Sequence, residues 1–168
     1  AAAAAGKHVH CEKPMASSVA EADAMLDACR RGGVRLMIGH SRRFTPRYRQ
    51  IKAAIDAGDV GRVRFVRENE RRPGAFPSAP PDPVSMWSAP GQGGAAKPWT
   101  KLAGYTHGAA MTNAVHEMDL MRWFCGSEPA AVYAESRITD PEGEVPDFLT
   151  CLVRFANGAT GASEIVNR

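Results

Sequence analysis

Apolar residues in the first sixty positions recur at two spacings, one typical of buried strands and one typical of amphipathic helices. Residues 7–11 and 34–38 are short apolar-leaning runs, which predict two strands. Between them, apolar side chains recur at helical spacing from a capping box formed by Ser18 and Glu21 to a stop at Gly32. This strand, helix, strand order predicts a βαβ unit of a parallel sheet.

After a second predicted helix, which begins near Pro46 and ends before residue 60, the pattern changes to strands. Four strands are predicted, at residues 62–70, 130–138, 146–155 and 159–166. The dipeptide Asn157-Gly158 between the last two is a strong hairpin signal. The connection lengths predict antiparallel pairing for these strands.

A third helix is predicted over residues 113–125, where Gly126 ends it. The change of pattern divides the chain into two predicted domains, residues 1–60 and 61–168. The predicted fold class is therefore α/β followed by α+β, with the end of a parallel-sheet domain leading into an open antiparallel sheet that carries a helix.

The chain opens on five alanines and Gly6, with no initiator methionine and no signal-peptide features. An alanine run stopped by glycine predicts the last turns of a helix and its C-terminal cap. We therefore expect a chain cut from a longer one. A low-complexity tail on a complete small protein is the alternative.

Residues 72–101 are rich in proline, glycine and alanine and show almost no periodicity, which predicts a long loop. The loop holds Trp87 and Trp99. These are interpreted as packing anchors, the alternative being side chains that close over a sugar ring.

The composition is that of an ordinary globular protein, with 44% hydrophobic residues and no apolar run near the roughly 20 residues of a membrane span. A cytoplasmic protein without membrane contact is expected. Its cysteines, at positions 11, 29, 125 and 151, show neither a CxxC pair nor metal-ligand spacing, so reduced thiols are predicted.

Charge is distributed unevenly. Residues 30–72 hold 13 basic and 4 acidic side chains, a net charge of +9, whereas residues 107–168 hold 4 basic and 9 acidic ones, a net charge of −5. Nucleic-acid binding is one interpretation of the basic stretch. A solvated helix face with arginines that serve an anionic ligand or an interface is the preferred one, because the stretch has few aromatic residues.

Polar residues collect where the predicted parallel strands end. Glu12, Lys13 and Pro14 follow the first strand, and residues 40–43 follow the second. Functional residues of such sheets lie beyond the carboxyl ends of the strands. This edge is therefore a candidate binding site.

The third helix carries a second candidate. Thr112, His116 and Asp119 lie along one stripe of it, and Asn113 is a neighbour of the histidine. A histidine flanked by polar groups can be held in one tautomer, which a proton-transfer catalyst needs. A structural histidine is the alternative. No metal site is predicted, because no second histidine or cysteine stands at ligand spacing.

Three motifs resemble the glucose-fructose oxidoreductase and inositol dehydrogenase family, also called Gfo/Idh/MocA. Residues 6–14, GKHVHCEKP, resemble its GKHVxxEKP signature. Residues 39–46, GHSRRFTP, are similar to its G-x-x-x-R-x-x-P motif, and residues 116–126, HEMDLMRWFCG, resemble its HxxDxxRWxxG helix. The three motifs occur in the family's order and together extend over most of the chain.

The resemblance implies an N-terminal Rossmann domain that binds NAD or NADP, followed by an open antiparallel sheet that forms the substrate site and often an oligomer interface. The chain would hold the C-terminal part of that Rossmann domain and an incomplete sheet, with about 80 to 90 residues missing before it by family length. The implied activity is hydride transfer between nicotinamide and a hydroxyl-bearing carbon of a sugar, cyclitol or related polyol. The fragment alone would be inactive, and the full-length protein would be a homo-oligomer.

The resemblance also implies roles for individual residues. Lys13 would contact the reacting hydroxyl or carbonyl, and His116 would be the catalytic acid/base. The implied cofactor-binding residues are Glu12, Lys13, Pro14 and Arg43. The implied substrate-binding residues are Lys13, Thr112, Asn113 and His116.

Thr112 departs from the family pattern, because many members carry aspartate four residues before the histidine. Asn113 instead resembles a subgroup with an I-N-x-x-H-x-x-D pattern. Two alternatives stay open. The first is a non-redox or non-catalytic relative that binds a small ligand in the same pocket, and the second is a small basic nucleic-acid-binding protein built around residues 30–72.

Overall fold

The computed structural model describes residues 1–72 and 107–167, and the chain divides into two compact units, Ala1–Arg49 and Gln50–Arg168. Apart from its first residue, the predicted loop with Trp87 and Trp99 lies outside the described residues. In the part that is described, no helix has both the length and the apolar character needed to cross a membrane.

The first unit contains the predicted βαβ arrangement. Strand β1 (Val9–Glu12) leads to helix α1 (Val19–Arg31) and strand β2 (Leu36–Gly39), and the two strands pair in parallel. Helix α2 (Pro46–Ala57) follows a 3-10 turn at Ser41–Phe44 and continues into the second unit. The parallel pairing confirms the prediction for this part of the chain.

The ends of the helical segments follow the predicted capping chemistry. Ser18 Oγ accepts a hydrogen bond of 3.2 Å from the Glu21 amide, and Glu21 Oε2 accepts one of 2.9 Å from the Ser17 amide. The first bond satisfies an amide of the first turn of α1, and the second ties Glu21 to the residue before the N-cap instead of to the Ser18 amide. The opening alanines form a 3-10 helix, Ala3–Ala5, that ends at Gly6 in the left-handed conformation. The predicted glycine cap is therefore confirmed.

The second unit is a four-stranded sheet with helix α3 (Val115–Cys125) against it. Its strands are β3 (Phe65–Arg72), β4 (Pro129–Arg137), β5 (Phe148–Phe155) and β6 (Thr160–Asn167), in the spatial order β3-β6-β5-β4. The β4–β5 and β5–β6 pairs are antiparallel, as predicted, with Asn157-Gly158 in the turn of the second pair.

The first strand of this sheet departs from the prediction. β3 pairs with β6 in parallel, so antiparallel pairing is wrong for this strand and the sheet is mixed. The chain passes through α3 and two further strands before it returns beside β3. A connection of that kind is a crossover. A crossover can place the returning strand parallel to the first one, whereas a hairpin makes the two strands antiparallel.

The core of the second unit lies between the sheet and α3. Residues on β5 alternate between buried and exposed, so that Cys151, Val153 and Phe155 share the buried face. They pack with Met121 from α3. A Cβ atom at Gly161 would lie 2.6 Å from Met121 Sδ, so the glycine lets the helix lie close to β6.

Candidate functional site

The carboxyl ends of β1 and β2 form the first part of the candidate site. The parallel register pairs Glu12 with Gly39, so Lys13 and His40 leave their strands at the same edge. Lys13 is half-buried, and the peptide bond between it and Pro14 is cis. The structure thus brings the predicted cofactor-binding residues of β1 to the edge at which ligands of parallel sheets bind.

Gly39 leaves space for the Glu12 side chain at the strand ends. It is buried, and a Cβ atom at this position would lie 2.8 Å from Glu12 Oε2 and 3.4 Å from the Cys11 carbonyl oxygen. Any side chain there would displace the Glu12 carboxylate. Gly39 of the predicted strand-end motif therefore leaves room for the Glu12 side chain of the EKP motif.

Arg43 lies on the 3-10 turn that follows β2. Its amide donates a hydrogen bond of 3.1 Å to the His40 carbonyl, and its side chain is half-buried. The turn thus keeps the arginine beside the strand ends. The structure places all four predicted cofactor-binding residues, Glu12, Lys13, Pro14 and Arg43, in this region of the first unit.

The second part of the candidate site is the start of α3. Residues Ala110–Ala114 form a π-helical turn, in which the Val115 amide donates to the Ala110 carbonyl five residues earlier. π-Helical turns of this kind are frequent at functional sites. His116 comes two residues after the turn and is 8% exposed, so its ring is enclosed by protein.

Four polar side chains meet at this turn, and we refer to Glu70, Thr112, Asn113 and Asn167 as the Asn113 cluster. Asn113 Nδ2 donates a hydrogen bond of 2.9 Å to Glu70 Oε1 on β3. Asn113 Oδ1 accepts a bond of 2.8 Å from Asn167 Nδ2 on β6 and one of 2.8 Å from Thr112 Oγ1. The Asn113 amide is 4% exposed, so these contacts determine its orientation.

Thr112 is held within its own helix. Its hydroxyl lies 2.9 Å from the Gly108 carbonyl oxygen and 2.8 Å from Asn113 Oδ1, so one hydroxyl proton is shared between two acceptors. Gly108 is itself in the left-handed region, with φ of 77°, and is buried. Many family members carry a carboxylate at this position. This chain instead has the uncharged hydroxyl of Thr112, which is hydrogen-bonded to the backbone of its own helix.

Helix α3 also carries a buried carboxyl group. Glu117 is 1% exposed, and it is close enough to Cys151 for its charge to act on that thiol. Burial raises the pKa of the Cys151 thiol, a hydrogen bond with the Ser163 backbone lowers it, and the Glu117 charge raises it further. Cys151 is therefore a protonated core thiol at neutral pH.

The structure brings together only part of what the sequence predicts. Thr112, Asn113 and His116 share one helical region, and Lys13 lies in the other compact unit. The part of the predicted site around Lys13 is therefore described within the first unit, and the part around His116 within the second. Thr112 and Asn113 are joined by a hydrogen bond, as their adjacent positions allow.

Two residues of the Asn113 cluster are absent from the sequence-based prediction, Glu70 and Asn167. Glu70 has a sequence signal, because Val66, Glu68 and Glu70 alternate along β3 on the side that faces α3. A carboxylate on the inward side of a strand requires a partner. Asn167 has no comparable signal, since its role depends on the register of β6 beside β3.

The residues at the edge of β1 and β2 suit a nicotinamide dinucleotide. Lys13 and Arg43 are half-buried cations at the carboxyl ends of parallel strands, where the phosphates and ring of such a cofactor lie in α/β folds. The donor set thus fits the cofactor that the resemblance implies.

Comparison with known protein families agrees with this assignment. Residues 48–166 match the family described as the GFO/IDH/MocA C-terminal domain, and residues 1–40 match the oxidoreductase family with an NAD-binding Rossmann fold. The two matches confirm the resemblance and the predicted fold class, the end of a Rossmann domain followed by a sheet domain.

Individual relatives extend over nearly the whole chain. An uncharacterized oxidoreductase of Bacillus subtilis, YrbE, is 31% identical over 162 residues, which are 94% of this chain and 41% of that protein. Myo-inositol 2-dehydrogenase of Thermotoga maritima is 31% identical over 165 residues, 96% of this chain and 43% of the enzyme. The chain therefore spans less than half the length of these relatives.

A solved structure shows the same architecture. Aldose-aldose oxidoreductase from Caulobacter crescentus, crystallised with glycerol, superposes with a TM-score of 0.78 at 31% sequence identity. The superposition covers 99% of this chain and 46% of that enzyme.

Proposed function

Since the chain belongs to the Gfo/Idh/MocA oxidoreductase family, we propose that it supplies active-site residues of an NAD(P)-dependent dehydrogenase. The proposed reaction transfers hydride between nicotinamide and a hydroxyl-bearing carbon of a sugar, cyclitol or related polyol. The names of two similar enzymes, a myo-inositol 2-dehydrogenase and an aldose-aldose oxidoreductase, support this substrate class.

The observation that carries the proposal is the enclosed His116 beside the hydrogen-bonded Asn113 amide. His116 and Asn113 are 8% and 4% exposed and lie one helical turn apart. An imidazole in such a setting can take a proton from a hydroxyl group and return it, which alcohol oxidation requires. We assign His116 as the catalytic acid/base.

Lys13 is the second proposed catalytic residue. As a half-buried ammonium at a strand end, it can donate a hydrogen bond to the reacting oxygen and stabilise negative charge that develops there. With the cofactor bound, the nicotinamide ring supplies the hydride chemistry. Glu12, Lys13, Pro14 and Arg43 are the residues proposed to hold it, and NAD is favoured over NADP by the description of the matched family.

Thr112 and Asn113 are proposed to position the substrate together with Lys13 and His116. Hydroxyl and amide groups suit a neutral polyol, since each can donate or accept a hydrogen bond. Asn113 already has its orientation set by the cluster, so a substrate hydroxyl would meet a preorganised partner.

The test is steady-state kinetics of the full-length enzyme with myo-inositol and a panel of aldoses and NAD or NADP. His116→Gln and Lys13→Met are each expected to lower kcat by about 100- to 10,000-fold, the range for removal of a positioned acid/base group. The exposed His107→Gln and Lys7→Met are matched controls that should keep the parental rate. Equal rates for His116→Gln and His107→Gln would contradict the assignment, and absence of nicotinamide reduction with every substrate would contradict the reaction class.

The full-length protein is further proposed to be a cytoplasmic homo-oligomer whose partner is a second copy bound to the outer face of the sheet. Phe65, Tyr133 and Leu152 are exposed on the face away from α3. The ion pairs Arg71–Glu164 and Arg137–Glu135 give the same face both signs of charge, which suits self-association. Light scattering of the full-length protein and of Leu152→Asp would check this, and a monomeric parental protein would contradict it.

The boundary between the two domains is proposed to lie near residue 60.

A further inference from the structure

Asn113 is the residue on which the hydrogen bonds beside His116 converge, and one of its partners has a fixed polarity. Asn113 Nδ2 donates to Glu70 Oε1 at 2.9 Å. An ionised carboxylate accepts hydrogen bonds and donates none, whereas the hydroxyl of Thr112 and the amide of Asn167 can each do both. Glu70 therefore decides which end of the Asn113 amide points toward β3.

The opposite orientation of this amide would be unfavourable at its Glu70 end. Asn113 Oδ1 would face Glu70 Oε1, two acceptors in contact. The Asn167 amide can turn to present its Oδ1 in place of its Nδ2, so it can follow either orientation. Because Asn113 is 4% exposed, water cannot relieve the conflict with Glu70. The carboxylate on β3 thus selects one of the two amide orientations.

The selected orientation matters because Asn113 belongs to the π-helical turn that leads into His116. The turn spans Ala110–Ala114, and His116 comes two residues after it. Thr112 brings no charge to this turn, and its hydroxyl is shared between the Gly108 carbonyl and Asn113. The carboxylate of the Asn113 cluster comes instead from the neighbouring strand.

We propose that Glu70 is a positioning residue, which locks the Asn113 amide and thereby holds the π-helical turn and His116 in place for proton transfer. This inference rests on the proposed function. Glu70 acts through Asn113, and its contribution is orientation.

The test exchanges the hydrogen-bond donor and acceptor between Glu70 and Asn113 in the full-length enzyme. Asn113→Asp places two carboxylates in contact, and Glu70→Ala leaves the buried Asn113 Nδ2 without its acceptor. Each is expected to lower kcat/KM by about 10- to 100-fold, the scale of a misplaced catalytic group. The double variant Glu70→Gln with Asn113→Asp restores a donor facing an acceptor, and we expect it to restore the structure of the turn, whereas its rate stays below the parental one because Asn113 is also a proposed substrate contact.

Glu164→Gln is the matched control, because Glu164 lies on the opposite face of the same sheet and pairs with Arg71. Glu70→Gln keeps the shape of the side chain and remains informative if Glu70→Ala fails to fold. Parental kcat/KM in Glu70→Ala, or a double variant whose amides 112–118 exchange as fast as those of Asn113→Asp alone, would overturn the proposal.

Hydrogen exchange of amides 112–118 in the same proteins separates this proposal from the proposed function. We expect faster exchange in Glu70→Ala and Asn113→Asp and recovery in the double variant. If the parental enzyme reduces no nicotinamide, the proposed function fails, and the exchange pattern alone decides whether Glu70 holds the turn. Unchanged exchange in both single variants would overturn the positioning role whatever the activity.

Discussion

The two compact units of this chain place polar side chains at candidate sites by different means. In Ala1–Arg49 the buried apolar residues are Ala3, Cys29 and Tyr48, and Met37 on β2 is 49% exposed. In Gln50–Arg168 the sheet and α3 enclose a core that includes Leu120, Val153 and Ile165, each 0% exposed. A parallel strand pair needs cover on both faces, whereas a mixed, largely antiparallel sheet can bury one face under a helix and leave the other in water.

The difference extends to the site residues. Lys13 and Arg43 follow strand ends, and the backbone of a turn sets where they lie. Asn113 is held by side chains from two strands, and His116 follows it on a packed helix. The first unit thus depends on local geometry, and the second depends on contacts between residues far apart in the sequence.

The largest difference between the two units is expected when a large side chain is removed from each. Phe155→Ala is expected to lower the free energy of unfolding of the second unit by about 3–5 kcal/mol, because Phe155 is 1% exposed and the cavity cannot be filled. Leu36→Ala, at a half-buried position of β2, should cost about 1 kcal/mol.

Urea denaturation measures both variants. Residues 1–49 contain no tryptophan and Trp123 lies on α3, so tryptophan fluorescence does not report the first unit, whereas far-UV circular dichroism follows both. Equal losses for the two variants would show that the first unit has a core as tight as the second.

A smaller effect is expected from adding a methyl group to glycine. Gly108 has φ of 77°, and a Cβ atom there would lie 2.4 Å from the Pro146 carbonyl oxygen. That oxygen accepts a hydrogen bond of 2.7 Å from the Ala109 amide, so any shift would disturb the chain before the π-helical turn. Gly108→Ala should cost roughly 3 kcal/mol, the sum of left-handed strain and overpacking.

Gly33→Ala is the control in the first unit, since Gly33 has φ of 62° but open space around its Cβ position. It should cost about 1–2 kcal/mol from backbone strain alone. Thermal unfolding of the two variants gives the difference, and a Gly33→Ala loss as large as that of Gly108→Ala would refute the close contact at Pro146.

The smallest effect belongs to an exposed ion pair that joins the end of α3 to the start of β4. Arg122 Nε and Nη2 donate to Glu128 Oε2 and Oε1 at 2.7 and 2.6 Å. The hydrogen bond with Arg122 lowers the pKa of Glu128 below its usual value. The stabilisation is therefore present above the unfolded pKa of a glutamate, about 4.3, and is lost as the pH falls through the lower folded value.

Comparison of Glu128→Gln with the parental protein checks this sign. At pH 7 the variant should unfold at a slightly lower temperature, because both side chains are at least half exposed and solvent screens the pair. The gap should shrink as the pH is lowered toward 3. Glu142→Gln, at another exposed glutamate, should show no such trend, and a gap that widens in acid would contradict the direction of the shift.

Short-range chemistry, which can be read along the chain, specifies several elements of this fold. The capping box at Ser18, the cap at Gly6 and the hairpin at Asn157-Gly158 were all predicted, because each depends on neighbours within a few residues. The motifs around Lys13 and His116 identified the family for the same reason, since each is contiguous along the chain.

Three features became visible only in three dimensions: the direction of β3, the π-helical turn and the carboxylate beside Asn113. Apolar alternation marks a strand but is the same for parallel and antiparallel pairing. The bond between Glu70 and Asn113 joins residues 43 positions apart, and no spacing rule connects them. That contact exists because the crossover brings β3 beside β6 under the start of α3, where the buried Asn113 amide meets the Glu70 carboxylate.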